Sequence, residues 1–154
     1  MATYFLDTSA IAKRYLPEVG SGWIVALTDV AARNTCWLAA VTRVELVAGL
    51  YRRQRLGHLT PTDAQRAAAI ALHECASSFR GLVIDAVVLD RAAILVAAHG
   101  LRAYDGIQLA AALRLRDEYD QSRLPPPIFV SSDQALNDAA RAEGMVVDDP
   151  LQHP

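Results

Sequence analysis

Tyr4-Phe5-Leu6-Asp7-Thr8-Ser9-Ala10 decides how the chain is read: three apolar residues of strand character end in a carboxylate, and hydroxyl residues lead into a helical pattern that Pro17 stops after Leu16. The same grammar recurs along the sequence. Cys36-Trp37-Leu38-Ala39 reads as a second strand before a helix from about Thr42 through Arg53. Leu82-Val83-Ile84 reads as a third before a helix from Val88 to His99, which Gly100 ends. Ile128-Phe129-Val130 reads as a fourth before a helix from Ser132 to Glu143, closed by Gly144. Between them lie helical stretches at Ser21 to Arg33, with Trp23, Ile24 and Leu27 on one side, at Thr60 to about Ser77, and at Tyr104 or Asp105 to about Tyr119. Pro125-Pro126-Pro127 forces an extended connection, and Met145-Val146-Val147 reads as an edge strand. Short apolar runs alternating with helices describe an α/β domain with a mainly parallel central sheet.

A chain of 154 residues that is 53% hydrophobic buries one core. The expectation is a single domain over residues 1–148 and a short tail, 149–154, with no reason to be ordered. The first residues lack the basic start and apolar stretch of a signal peptide, and the longest wholly apolar run, Ala92 to Ala98, is too short to span a bilayer. A soluble, cytoplasmic protein without membrane contact is expected. Cys36 and Cys75 fit no disulfide framework or C-x-x-C pair and read as buried free thiols; the four histidines lack metal-ligand spacing. The formal net charge of -2 carries no basic excess of the kind nucleic-acid-binding proteins display. What remains is local: Arg52, Arg53 and Arg55 cluster where a helix ends, a position that complements the helix dipole as well as it would a phosphate.

Seventeen acidic residues are present, and position singles out a few of them. Ligands of open α/β sheets bind outside the carboxyl ends of the strands. Asp7 follows the first strand, Glu45 lies in the first turn of the helix after the second, and Asp133 follows the fourth. Asp105 opens a helix whose neighbouring positions Gln108, Leu109 and Ala112 are mostly apolar, so its carboxylate faces inward. Each has a plainer reading. Asp7 and Asp133 suit helix N-caps, Asp105 suits the positive end of its helix, and Thr42-Arg43-Val44-Glu45 matches a capping box. Asp85, Asp148 and Asp149 compete on position as well. Two carboxylates about 5 Å apart repel by roughly 3 kcal/mol at an effective dielectric near 20, so converging acids demand protons or counter-charge. With oxygen ligands and no His or Cys, the suitable cation is Mg²⁺ or Mn²⁺.

In order and surroundings, four segments resemble the PIN-domain family, and within it the VapC-type toxins of toxin–antitoxin pairs. They are Phe5-Leu6-Asp7-Thr8-Ser9-Ala10, Thr42-Arg43-Val44-Glu45-Leu46, Leu101-Arg102-Ala103-Tyr104-Asp105-Gly106-Ile107-Gln108-Leu109-Ala110, and Phe129-Val130-Ser131-Ser132-Asp133. The likeness extends from about Phe5 to Val147. Ser131 stands where the family often has Thr, and Gly106 where a larger residue is common.

This resemblance implies a three-layer α/β/α domain in which Asp7, Glu45, Asp105 and Asp133 form one carboxylate pocket holding one or two Mg²⁺ or Mn²⁺ ions. It sets Asp85 aside. It makes Thr8, Ser9 and Ser131 hydrogen-bonding supports of the ligands, although as hydroxyl residues they suit helix caps equally. It further implies metal-dependent endonucleolytic cleavage of RNA, a homodimer, and an antitoxin protein that covers the pocket. Arg14, Arg43, Arg52 and Arg53 are candidates for backbone contacts with RNA, and Trp23, Tyr15 and Leu16 for a protein interface, although isolated apolar residues of this kind more often belong to the core. Two rivals stand beside it. One is a catalytically silent PIN-like module that binds RNA or protein. The other is a haloacid-dehalogenase-like phosphatase, whose chemistry wants a second Asp where this chain has Ser9; a dinucleotide or P-loop fold lacks its glycine motif.

Overall fold

Five short strands, β1 (Thr3–Leu6), β2 (Thr35–Ala39), β3 (Arg80–Leu82), β4 (Ile128–Val130) and β5 (Val146–Asp148), pair in the order β3-β2-β1-β4-β5 in the computed structural model, which describes residues 1–153. Every pairing is parallel, a stricter arrangement than the mainly parallel sheet expected. Seven helices surround the sheet: α1 (Thr8–Ile11), α2 (Ser21–Thr28), α3 (Thr42–Arg55), α4 (Pro61–Ser77), α5 (Ala86–His99), α6 (Ala103–Gln121) and α7 (Gln134–Ala142).

The two-residue period of the strands builds the three layers. Phe5, Ala39 and Phe129 point to one face, where they meet Val88, Leu95, Leu109, Leu113 and Leu136 of α5, α6 and α7; the rings of Phe5 and Phe129 stack at 6.0 Å. Leu6, Leu38 and Val130 point to the other face, against Ala10, Ile24, Leu46 and Ala71 of α1 to α4. A sheet covered on both faces has strands that are apolar without interruption, and that is why the strand triplets stood out in the sequence.

Gly106 is buried where α6 crosses α5: a Cβ there would lie 2.4 Å from Val96 Cγ2 and 3.1 Å from the Ala92 carbonyl oxygen. The absence of a side chain lets the two helices touch. No described helix is long and apolar enough to cross a membrane.

Several boundaries differ from expectation. The third strand lies at Arg80–Leu82, two residues before the apolar triplet Leu82-Val83-Ile84, because register pairs Trp37 with Arg80 and Ala39 with Leu82. As an edge strand it tolerates the charge, and the Arg80 guanidinium sits 5.6 Å from the centre of the Trp37 ring. The first helix tightens into a 3-10 turn at Ala12–Arg14. The second ends at Thr28, where Asp29 is extended and caps the short 3-10 turn Val30–Ala32.

The largest departure from expectation concerns residues 149–153. Pro150–Gln152 forms a 3-10 turn capped by Asp149, the His153 ring stacks on Trp23 at 4.1 Å, and His153 Nε2 lies 2.8 Å from Asp148 Oδ1. Only Pro154 lies outside the described residues. Gly20, at φ 86, permits this packing, since a Cβ there would fall 2.3 Å from the Pro150 carbonyl oxygen. Trp23, read from the sequence as an interface residue, thus holds the tail. Leu16 is buried and the Tyr15 hydroxyl donates to Glu74 Oε2 at 2.8 Å, so both belong to the interior packing.

Candidate active site

At the carboxyl ends of β1 and β4, the two central strands where the chain order reverses, Asp7 and Ser131 meet. Asp7 is the N-cap of α1: its Oδ1 accepts from the Ala10 N–H at 2.9 Å. Its remaining lone pairs take the Ser9 hydroxyl at 2.8 Å and the Ser131 hydroxyl at 3.0 Å. Those hydroxyls in turn accept from the loop after β4, Ser9 Oγ across the two loops from the Ser132 N–H and Ser131 Oγ within its own loop from the Asp133 N–H. Asp7 is only 4% exposed, and among the described residues no Lys, Arg or His reaches it within ion-pair distance. Burial pushes its carboxyl up to about 6, against the opposing pull of the hydrogen bonds from Ala10, Ser9 and Ser131.

Glu45 reaches the same region from α3. The capping box read at Thr42 to Glu45 does not form, because α3 starts from Val41 with no side-chain cap. Instead Glu45 Oε2 accepts from the Thr8 hydroxyl at 2.6 Å and from Gln108 Nε2 at 2.7 Å. The same Gln108 amide nitrogen lies 3.0 Å from Thr8 Oγ1 and 3.0 Å from Thr42 Oγ1, and its Oε1 is buried without a partner. Gln108 thereby ties α6 to α1 and α3.

Asp105 and Asp133 meet through Arg102, whose Nε donates to Asp105 Oδ2 at 3.0 Å and whose Nη2 donates to Asp133 Oδ2 at 3.1 Å. Asp133 Oδ1 accepts from the Leu136 N–H as the N-cap of α7. The capping and site readings of Asp7 and Asp133 are therefore compatible, since each cap occupies one carboxylate oxygen.

The four acids thus fall into two hydrogen-bonded networks, Asp7 with Asp133 and Asp105 through Ser131 and Arg102, and Glu45 with Thr8 and Gln108, which is not the single pocket expected. Among the described residues no three His, Cys, Asp or Glu side chains come together closely enough to cage an ion. Like charges repel, and each carboxylate instead rests against donors of its own: hydroxyls, an amide or a guanidinium. The donor set still fits a hard cation. It is all oxygen, it includes a buried acid with no positive partner, and its hydroxyl and amide neighbours hold ligands without competing for charge.

Two residues of this network escaped the sequence reading. Gln108 is 2% exposed, a lone amide on an apolar helix face three residues after Asp105, and that misplaced polarity was its signal. Arg102 gave no signal, because its role depends on Asp133, 31 residues away in sequence.

The arginine candidates divide. Arg14 is withdrawn from RNA contact: its guanidinium is spent on Glu74, at 2.8 and 2.9 Å, and on Thr28 Oγ1. Arg53 pairs with Glu18. Arg43 and Arg52 are exposed, and Arg43 Nε donates to the Ala40 carbonyl. Spacing along α3 puts Glu45, Gly49, Arg52 and Arg53 on one side of the helix. Asp85 caps α5 and pairs with Arg114, and Asp148 and Asp149 hold the tail, so the positional competitors serve elsewhere.

A family model for the PIN domain matches residues 4–142. No curated protein matches the sequence significantly. Solved structures share the fold. VapBC2 from Rickettsia felis, bound to a DNA fragment from their promoter, superposes with a TM-score of 0.61 at 14% identity, over 96% of this chain and 98% of that one. PAE2754 from Pyrobaculum aerophilum gives 0.59 at 21%, over 98% and 85%. A toxin–antitoxin complex from Klebsiella pneumoniae gives 0.54 at 19%, over 96% and 97%.

Proposed function

The chain belongs to the PIN-domain family, and from that membership we propose that it is a divalent-metal-dependent endoribonuclease, the toxin of a cytoplasmic toxin–antitoxin pair. The observation that carries this reading is Asp7: a carboxylate buried at the carboxyl end of a central strand, with no cationic partner among the described residues and a raised pKa. The cap on α1 needs only a polar oxygen, which a neutral Asn or Ser supplies, whereas burying an unpaired charge costs stability. Its link to the Asp133 loop through Ser131, and the family likeness at Asp105 and Glu45, support these four acids as the ligand set for Mg²⁺ or Mn²⁺.

These residues would hold the cation, whose chemistry there would be to acidify a water and offset negative charge at a phosphodiester. The protein's own work is positional. Ser9 and Ser131 fix both oxygens of Asp7, Thr8 and Gln108 aim Glu45, and the α7 N-terminus anchors Asp133 through its second oxygen. Arg43, Arg52 and, once parted from Glu18, Arg53 are the groups suited to hold the RNA backbone. A cognate antitoxin and a homodimer complete the reading, the antitoxin supported by likeness of fold to the Klebsiella pneumoniae complex.

The uncaged acids favour one alternative, a PIN module that binds RNA or protein without cutting. Incubation of purified protein with RNA and Mg²⁺ or Mn²⁺ separates the two. Cleavage that chelator and Asp7→Asn both abolish is the expected result; binding without cleavage under every metal selects the silent module, and cleavage indifferent to both controls refutes the metal mechanism.

A further inference from the structure

Resting on the metal-site reading above, we infer that Arg102 is a built-in counter-cation of the site, which holds Asp105 and Asp133 until a divalent metal displaces it and so sets how tightly metal binds. Four observations carry the inference. Arg102 touches both carboxylates through different nitrogens, so a single guanidinium spans the gap between α6 and α7. No other Lys, Arg or His among the described residues pairs with any of the four acids. Both oxygens of Asp133 are engaged, Oδ1 by the Leu136 N–H and Oδ2 by Arg102, so a metal binding the Oδ2 of Asp133 competes directly with the guanidinium. Finally, the Arg102 side chain is 80% exposed, against 23% for Asp105 and 26% for Asp133, so the cation sits on the solvent side of the acids and can swing out without disturbing the core.

The consequence is a competition between two cations for the same oxygens. With Arg102 in place, the charge of the α6 and α7 acids is half offset and their separation is set by the guanidinium between them, which accounts for a pair that meets without caging an ion. Exposed ion pairs are weak, so a dication at millimolar concentration displaces the arginine at modest cost. Arg102 is thus a positioning residue, acting on the metal through Asp105 and Asp133.

The test reads metal affinity, with no substrate present. Mn²⁺ is titrated calorimetrically into wild type, Arg102→Ala, Arg102→Lys and Arg66→Ala, the last removing one exposed charge from α4 to control for net charge. Arg102→Ala is expected to bind Mn²⁺ roughly fivefold more tightly than wild type, the effect of releasing two surface ion pairs. Arg66→Ala should stay at the wild-type value, and Arg102→Lys should recover most of the competition. Equal affinity in Arg102→Ala and Arg66→Ala, or weaker binding in Arg102→Ala, overturns the role of Arg102 while leaving the metal site standing. Absence of Mn²⁺ binding in all four folded proteins overturns the metal-site reading, and this inference with it.

Discussion

Replacing Asp7 by Asn should stabilise the metal-free protein. Burial raises the Asp7 carboxyl from 3.8 to about 6, so the folded state holds a proton that the unfolded chain has already released. The folded-state pKa lies above the unfolded one. Its contribution is therefore favourable below pH 3.8, and it is lost as pH rises through 6. At pH 7.5, where the buried acid is ionised, its cost is about 3 kcal/mol, and at pH 4, where it is protonated in the fold and only partly so in the unfolded chain, about 0.5 kcal/mol. Asn keeps the oxygen that caps Ala10, and its amide can donate to Ser131 Oγ, whose hydroxyl rotates, so the network survives without the charge. In chelator at pH 7.5 the variant should melt about 5–10 °C above wild type, and the gap should close towards pH 4. Added Mn²⁺ should raise the wild-type melting temperature and leave the variant nearly unmoved. A variant that melts at or below wild type in chelator at pH 7.5 would refute the reasoning, because the buried charge would then be compensated within the protein.

Three further outcomes follow from other parts of the molecule. Gly106→Ala should cost about 1–3 kcal/mol in urea unfolding, since its methyl group meets both Val96 and a backbone carbonyl of α5 that cannot swing aside. Glu74, whose pKa is lowered first by its hydrogen bond to Arg14, adds stability that is present above the ordinary glutamate pKa and lost as pH falls through the depressed folded value; Glu74→Gln should flatten that acid limb of a stability profile. Gly20→Ala should dislodge residues 150–153, seen as faster trimming of the C-terminus by carboxypeptidase, and an unchanged rate would show that the tail does not depend on that close approach.

Short apolar runs alternating with helical patterns were enough to expose the α/β order, because a sheet buried on both faces writes itself into consecutive residues. Helix ends at His99 and Gln134 were nearly as legible, fixed by Gly100 and by the Asp133 cap. Composition gave no hint of the tail, whose order comes from Trp23 and Gly20 more than a hundred residues earlier. The candidate acids stood out one at a time, since each follows a strand or lies in the first turn of a helix. How the acids relate was not legible. Whether they share an ion, stand apart on hydroxyls, or meet across Arg102 depends on charges brought together from β1, α3, α6 and α7, and repulsion between such distant groups exists only once the chain has folded.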